Sequence, residues 1–496
     1  MTYVRLKKIA AACISLACMI SGMISLTASA EPYENYNYDR WNDPIPSQAG
    51  YTAERSVSGS DLGAGEMDSP SDIFYGADGL FYIADSGNNR IIAADENFTE
   101  AVRIYDRFIM PDGSETFLKN PTGIFISAAD NNMYIADSEN SRVLVSDNAG
   151  NVIKEITKPE SEIFNQKRTF TPLRVIVDKA GNVYAVLNNI TTGVAMFKPD
   201  GEFTGFYGAN RVQPTSEIIS DHLTGLFMSE EKRARRVRNV PSGVTNFDID
   251  GDFIFTCTSS ATQTTDTVKK LNAAGNNIFA NMELNFGDYT PVYDTTRNKL
   301  LAPSIVDIDI AEDGNINCLD FTTGRIFQYD EDCNLLFITG TIAKQTGGFD
   351  HAAAIESHGD KLFVADSMKN TVTIFAETEF GAVVHKASAL HNGGYYDEAL
   401  EPWREVLRLD GNYRRAHLGV ALALLRQGDY KGAMKYAKLA NAGGVYDKAF
   451  EGYRMELIRE NFGTIVFSAM IIAAAASIIR RKIKMRRNSR NKGETS

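Results

Sequence analysis

The chain has 496 residues, 44% of them hydrophobic and 23% charged, with a formal net charge of −12. That length leaves room for two or three domains, and the composition excludes a disordered or low-complexity chain. The two ends carry eleven of the 51 basic residues and one of the 63 acidic ones, so the remainder holds 40 basic against 62 acidic residues; this excludes nucleic acid, whose phosphates need a cationic footprint.

Residues 1–30 carry Lys7 and Lys8, an apolar run from Ile9 to Leu26, and then Ala28-Ser29-Ala30. That is the pattern of a cleaved signal peptide, with the mature chain starting at residue 31. Cys13 and Cys18 leave with it. Cys257, Cys318 and Cys333 remain, an odd number without a shared spacing, so no disulfide framework is implied and they are expected as small buried hydrophobes. Residues 31–65 form an extension in which Tyr51 to Val57 reads as a strand.

Residues 66–380 are organised by a recurring phrase. Tyr82-Ile83-Ala84-Asp85-Ser86 precedes Asn89-Arg90-Ile91, Tyr134-Ile135-Ala136-Asp137-Ser138 precedes Ser141-Arg142-Val143, and Phe363-Val364-Ala365-Asp366-Ser367 precedes Asn370-Thr371-Val372. Degenerate copies lie at Val183 to Val194, Phe253 to Val268 and Ile316 to Ile326. Each unit reads as short strands separated by turns; in the first, Asp78-Gly79 supplies a tight hairpin because Gly accepts positive φ. Six such units predict a mainly β, six-bladed propeller. The sixth stops after Thr371 to Phe375, so the strand at Tyr51 to Val57 is expected to close the ring.

These phrases resemble the NHL-repeat family of six-bladed propellers over roughly residues 66 to 378. The Asp is replaced by Leu187 and Cys257 in the third and fourth units and survives as Asp320 in the fifth. The resemblance implies mainly structural roles for Asp85, Asp137, Asp366, Arg90, Arg142 and Arg325, since a carboxylate capping a turn's amides needs no ligand.

Between the third and fourth units lies an insertion, residues 216–239, that reads as two short amphipathic helices. Ser229, Glu230 and Glu231 begin the second, and Lys232, Arg233, Arg235, Arg236 and Arg238 follow. Acids first and bases last complement a helix dipole, which suits a plain solvated helix. The functional alternative is a cationic contact for lipid headgroups or an acidic partner.

Residues 381–461 change period. Gly394-x-Tyr396-x-x-Ala399 recurs as Gly428-x-Tyr430-x-x-Ala433, a 34-residue offset, and the same offset pairs Val384 with Leu418, Ala387 with Ala421, and Leu390 with Leu424. This resembles a pair of tetratricopeptide (TPR) repeats, capped by a helix from about Val445 to Arg459. Two repeats bury little core alone, so the module is expected to rest on the propeller or on a partner. Phe462 to Ile479 is uncharged and spans roughly 27 Å as a helix, enough for a bilayer core. The basic residues 480–496 then stay cytoplasmic, leaving residues 31–461 outside a single-pass membrane protein.

For chemistry the sequence offers little. It holds no Walker loop, His-Glu-x-x-His motif, nucleophile elbow or Cys-x-x-Cys pair, and no cofactor, catalytic residue or metal ligand is assigned. Counting seven residues back from the hairpin glycines Gly79, Gly181 and Gly314 gives Asp72, Arg174 and Asp307, expected at one height in the channel as a polar ligand site. The reading is an extracytoplasmic binding or scaffold protein at the cell membrane, whose partners are other, membrane-associated proteins. The alternative is a metal-dependent hydrolase or lyase of the gluconolactonase type, known among six-bladed propellers.

Overall fold

The computed structural model describes residues 33–209, 243–259, 267–282, 284–289, 292–294 and 298–493. The segment expected to be a signal peptide and the insertion with Lys232, Arg233, Arg235, Arg236 and Arg238 lie outside the described residues.

The repeats fold into a six-bladed β-propeller. Blade 1 is built from Pro70–Tyr75, Leu80–Asp85, Arg90–Asp95 and Ala101–Tyr105, in that order from the centre outward. Blade 2 (strands within Pro121–Ile156), blade 3 (within Pro172–Tyr207) and blade 5 (within Ile305–Thr339) repeat this four-stranded meander, while blade 4 has three described strands, Asn246–Asp250, Phe253–Cys257 and Val268–Leu271. The second and third strands of each blade are buried on both faces against neighbouring blades, which is why they read as continuous apolar runs: Val183–Leu187 and Arg142–Ser146 are buried throughout. Aromatics fill the wedges between blades, with Phe74 and Phe125 rings 4.8 Å apart and Phe81 and Phe363 4.2 Å apart.

The ring is closed across the chain ends. Blade 6 contributes Ala352–His358, Lys361–Asp366 and Thr371–Glu377, and its outer strand is Tyr51–Ser58, antiparallel to the third, with Tyr51 opposite Glu377 and Val57 opposite Val372. Val57 joins the blade 6–blade 1 core with Ile73, Phe81 and Ile374. The third strand, Thr371–Glu377, is thereby paired on both sides instead of forming the blade's edge.

The repeated phrase has local work in each blade. Asp85 accepts from the Asp68 amide at 2.7 Å and from Arg90 Nε at 2.7 Å, and Asp137 does the same with Lys119 and Arg142. Ser86 and Ser138 donate to the carbonyls of Pro121 and Pro172 in the following blade. Asn89 sits at φ 55° and its side chain accepts from the Asn120 amide of the next blade at 2.7 Å; Asn tolerates this left-handed geometry better than most residues. In blade 4, Asn246 pairs with Cys257 just as Asp307 pairs with Leu319 in blade 5. The position of the repeat Asp is therefore held by Thr258, one residue beyond the Cys257 assigned from sequence; the two-residue hairpin at Gly251 and Asp252 displaces the count.

Six helices follow: α1 (Glu379–Asn392), α2 (Tyr396–Leu409), α3 (Arg414–Gln427), α4 (Tyr430–Leu439), α5 (Gly443–Glu460) and α6 (Phe462–Gly493). Thr378 caps α1, accepting from the Gly381 amide at 3.0 Å. Gly428 ends α3 at φ 82°, a left-handed cap that favours glycine. The α1–α4 layer packs on blades 5 and 6. Trp403, Val384 and Tyr413 share one core with Phe337, Leu319 and Phe375, and the Tyr413 hydroxyl donates to Leu336 O at 2.8 Å. Arg415 of α3 reaches the blade 5 carboxylate of Asp330 (Nη2 to Oδ2, 2.9 Å), both side chains being almost fully enclosed. A polar chain crosses the same junction: Asp309 accepts from Asn317, Gln328 donates to Asn317 Oδ1, and Gln328 Oε1 meets His385 of α1, whose other nitrogen contacts Glu377. Helix α6 holds a stretch, Phe462–Arg486, long and apolar enough to cross a membrane.

Candidate functional site: the propeller channel

A β-bulge recurs at the start of the inner strand in five blades, between Pro70 and Asp72 and at the matching positions beginning Pro121, Pro172, Ile305 and Ala352. Such a bulge re-aims the following side chain, and it places Asp72, Gly123, Arg174, Asp307 and Ala354 in a common layer, which Asn246 joins from the matching register of blade 4. The three residues singled out from sequence are thus brought together. Arg174 Nε lies 3.7 Å from Asp72 Oδ1, and both Asp72 and Arg174 act electrostatically on Asp307.

Their bonding is turned toward the ring. Arg174 reaches across to blade 1, donating to Ser71 O at 2.8 Å, and to blade 2 at Thr122 O. Asp72 accepts from the Ile124 amide of blade 2 at 2.9 Å, and Asp307 from the Ile355 amide of blade 6 at 2.7 Å and from Asn246 of blade 4. Gly123 leaves the space that this crossing needs, because a Cβ there would come within 2.8 Å of Leu173 O and 2.9 Å of Arg174 Cα.

A second layer, two residues further along, was missed by the sequence count. Blades 1–3 present Phe74, Phe125 and Ile176, whereas blades 4–6 present Asp248, Asp309 and Glu356. Asp248 accepts from the Ile310 amide of blade 5 at 2.7 Å, and Glu356 from the Tyr75 amide of blade 1 at 2.9 Å. Enclosure by protein pushes Asp248 up to about 8, with the neighbouring Asp309 charge adding to it. Burial likewise raises Asp309, and raises Glu356 strongly with help from the same two neighbours. In the first layer burial raises both Asp72 and Asp307, and Arg174 opposes it in each. The channel is therefore a set of carboxyl groups biased toward their protonated forms. A cation could be held only by displacing those protons, and among the described residues no three His, Cys, Asp or Glu side chains are grouped to hold a metal ion. The alternation Asn246-x-Asp248 and Asp307-x-Asp309 was the available signal for this layer, since side chains two apart share a strand face.

Arg325 departs from its repeat partners. It turns to Asp288 instead of Asp320, and Asp320 caps its own turn through the Ser304 and Thr322 amides at 2.6 and 3.0 Å.

No protein-family model matches the chain. It is 27% identical to a gluconolactonase of Zymomonas mobilis over 207 residues, which are 39% of this chain and 56% of that protein. The chain thus spans little more than half the length of this curated relative. Among solved structures it is similar to virginiamycin B lyase from Staphylococcus aureus, at 10% identity and TM-score 0.40, covering 66% of this chain and 100% of that one. A protein of unknown function from Bacteroides thetaiotaomicron is similar at 13% identity and TM-score 0.37, covering 69% and 76%.

Proposed function

We propose that this chain is a membrane-anchored binding protein, with an NHL-like propeller and a TPR-like helical module presented together outside the membrane by α6. The observation that carries this reading is the use made of the channel carboxyls. Asp72, Asp248, Asp307 and Glu356 each accept a backbone amide of the adjacent blade, so the groups that a propeller enzyme would devote to substrate are here engaged in joining blades. The helical module, fused to blades 5 and 6 by Trp403, Tyr413 and the Arg415–Asp330 pair, supports a single rigid recognition unit. Its partners are other membrane-associated proteins. Cross-linking and copurification of the full chain from membranes test this: recovery of the chain with no stoichiometric partner, combined with lactone turnover, would refute it.

The second reading is a metal-dependent lactonase, favoured by the gluconolactonase similarity. Under it, Asp248, Asp309 and Glu356 would exchange their protons for a divalent ion, and the full chain should hydrolyse gluconolactone with calcium or zinc. Loss of turnover in Asp309→Asn would establish it, and absence of turnover at any metal concentration would dismiss it.

A further inference from the structure

We infer that a second cavity, at the rim of blade 5, is a binding site for a small carboxylate with an apolar body, with Arg325 as its anchor. This goes beyond the function proposed above and does not depend on it. The cavity, about 450 Å³, lies between the N-terminal hairpin (Tyr36–Tyr38 paired with Pro44–Pro46) and the outer part of blade 5. That volume suits a ligand of drug-like or metabolite size. Its walls combine apolar and aromatic groups, including Tyr36, Tyr38, Ile45 and Ile338, with polar ones: Arg325 and Asp288 within, and the carboxylate of Glu34 exposed to water at the rim.

The repeat itself supplies the comparison. Arg90 spends its guanidinium fully, with Nε on Asp85, Nη1 on Ala64 O and Nη2 on Glu66 O. Arg142 is likewise spent on Asp137, Glu155, Thr116 and Phe117 O. Arg325, at the same position of blade 5, donates among the described residues only through Nη1, to Asp288. Its side chain is 26% exposed, against 17% and 10% for Arg90 and Arg142. The unspent Nε and Nη2 form the guanidinium edge that takes a carboxylate through two parallel hydrogen bonds. Asp288 in turn holds the pair in place, accepting from Tyr36 and, at 2.6 Å, from Tyr38, while Tyr36 lies under the guanidinium with its ring centroid 5.1 Å away. Because Asp288 already offsets one positive charge and the solvated Glu34 adds a further negative charge at the rim, a dianionic phosphate is disfavoured and a monoanion held by the Arg325 edge is the most charge the site takes, while the surrounding rings and aliphatic groups favour an apolar remainder.

The test uses the full chain in lipid nanodiscs, titrated calorimetrically with 3-phenylpropionate and with its uncharged amide. The acid should bind, and the amide should bind about tenfold more weakly, the worth of one charge-assisted contact. Arg325→Gln should weaken the acid by at least that factor and leave the amide unchanged. Ile45→Trp, which fills the cavity from its apolar side and keeps Arg325, should abolish both; it decides the matter if Arg325→Gln does not fold. No binding of the acid at about 10 mM, equal binding of acid and amide, or unchanged acid binding in either folded variant overturns the proposal.

Discussion

Asp248 shows how a single half-buried carboxyl sets a pH response. Held up at about 8 by burial and by Asp309, it keeps its proton in the folded chain from about pH 4 to pH 8, whereas the unfolded chain loses it near the ordinary carboxylate value. The folded state then binds more protons, so stability falls with rising pH across that window, by at most about 1.4 kcal/mol per pH unit from this site. Asp248→Asn keeps an acceptor for the Ile310 amide and removes the titration. Its melting temperature should therefore fall less than the wild type's between pH 5 and pH 8; parallel profiles would contradict the assignment. Arg415 makes a different residue-scale statement. Removing it strands Asp330, buried in blade 5, and Arg415→Ala should cost about 3–5 kcal/mol. The double variant Arg415→Met, Asp330→Asn should recover much of that loss in denaturant titrations.

At the scale of elements, two segments far apart in sequence complete structures they do not begin. The strand Tyr51–Ser58 finishes blade 6. Removing residues 31–60 would expose an edge and strip Tyr51 and Val57 from two cores, so the propeller should lose several kcal/mol and gain a tendency to associate. An unchanged melting curve would exclude that strand from the stability of the ring. Helices α1–α4 lean on blades 5 and 6 through one continuous core. Replacing Tyr396 and Tyr430 by Ala should accordingly lower a single calorimetric transition shared by helices and propeller. A helical transition that melts separately, with the propeller unaffected, would show that the shared core does not couple them.

On the scale of the molecule, the Phe462–Arg486 stretch of α6 is wholly exposed, with Arg480, Arg481, Lys482, Lys484 and Arg486 at its far end. In the proposed orientation a protease added to intact cells should remove epitopes within residues 31–461 and spare one placed after Ile479. Protection of the propeller would reverse the orientation.

The sequence makes the blade count legible, because Ala-Asp-Ser in the first, second and sixth units is a local turn-capping device whose degenerate copies mark the other three meanders. It also determined the helical period, since Tyr396 and Tyr430 fall 34 residues apart in matching contexts, and it located Asp72, Arg174 and Asp307 through the constant length of their hairpins. The remaining features depend on neighbours remote in the chain. Blades 4 and 6 turn on two-residue hairpins, so counting seven back from a glycine missed Asn246 and Ala354 there, and the layer of Asp248, Asp309 and Glu356, two residues further along, lay outside the count in every blade. Which amides the channel carboxyls accept, how strongly burial holds their protons, and that Arg325 turns from Asp320 to Asp288 all follow from blade-to-blade packing. So does the union of helices and propeller: Arg415 and Asp330 are 85 residues apart, and nothing local to either one announces that the other will neutralise it.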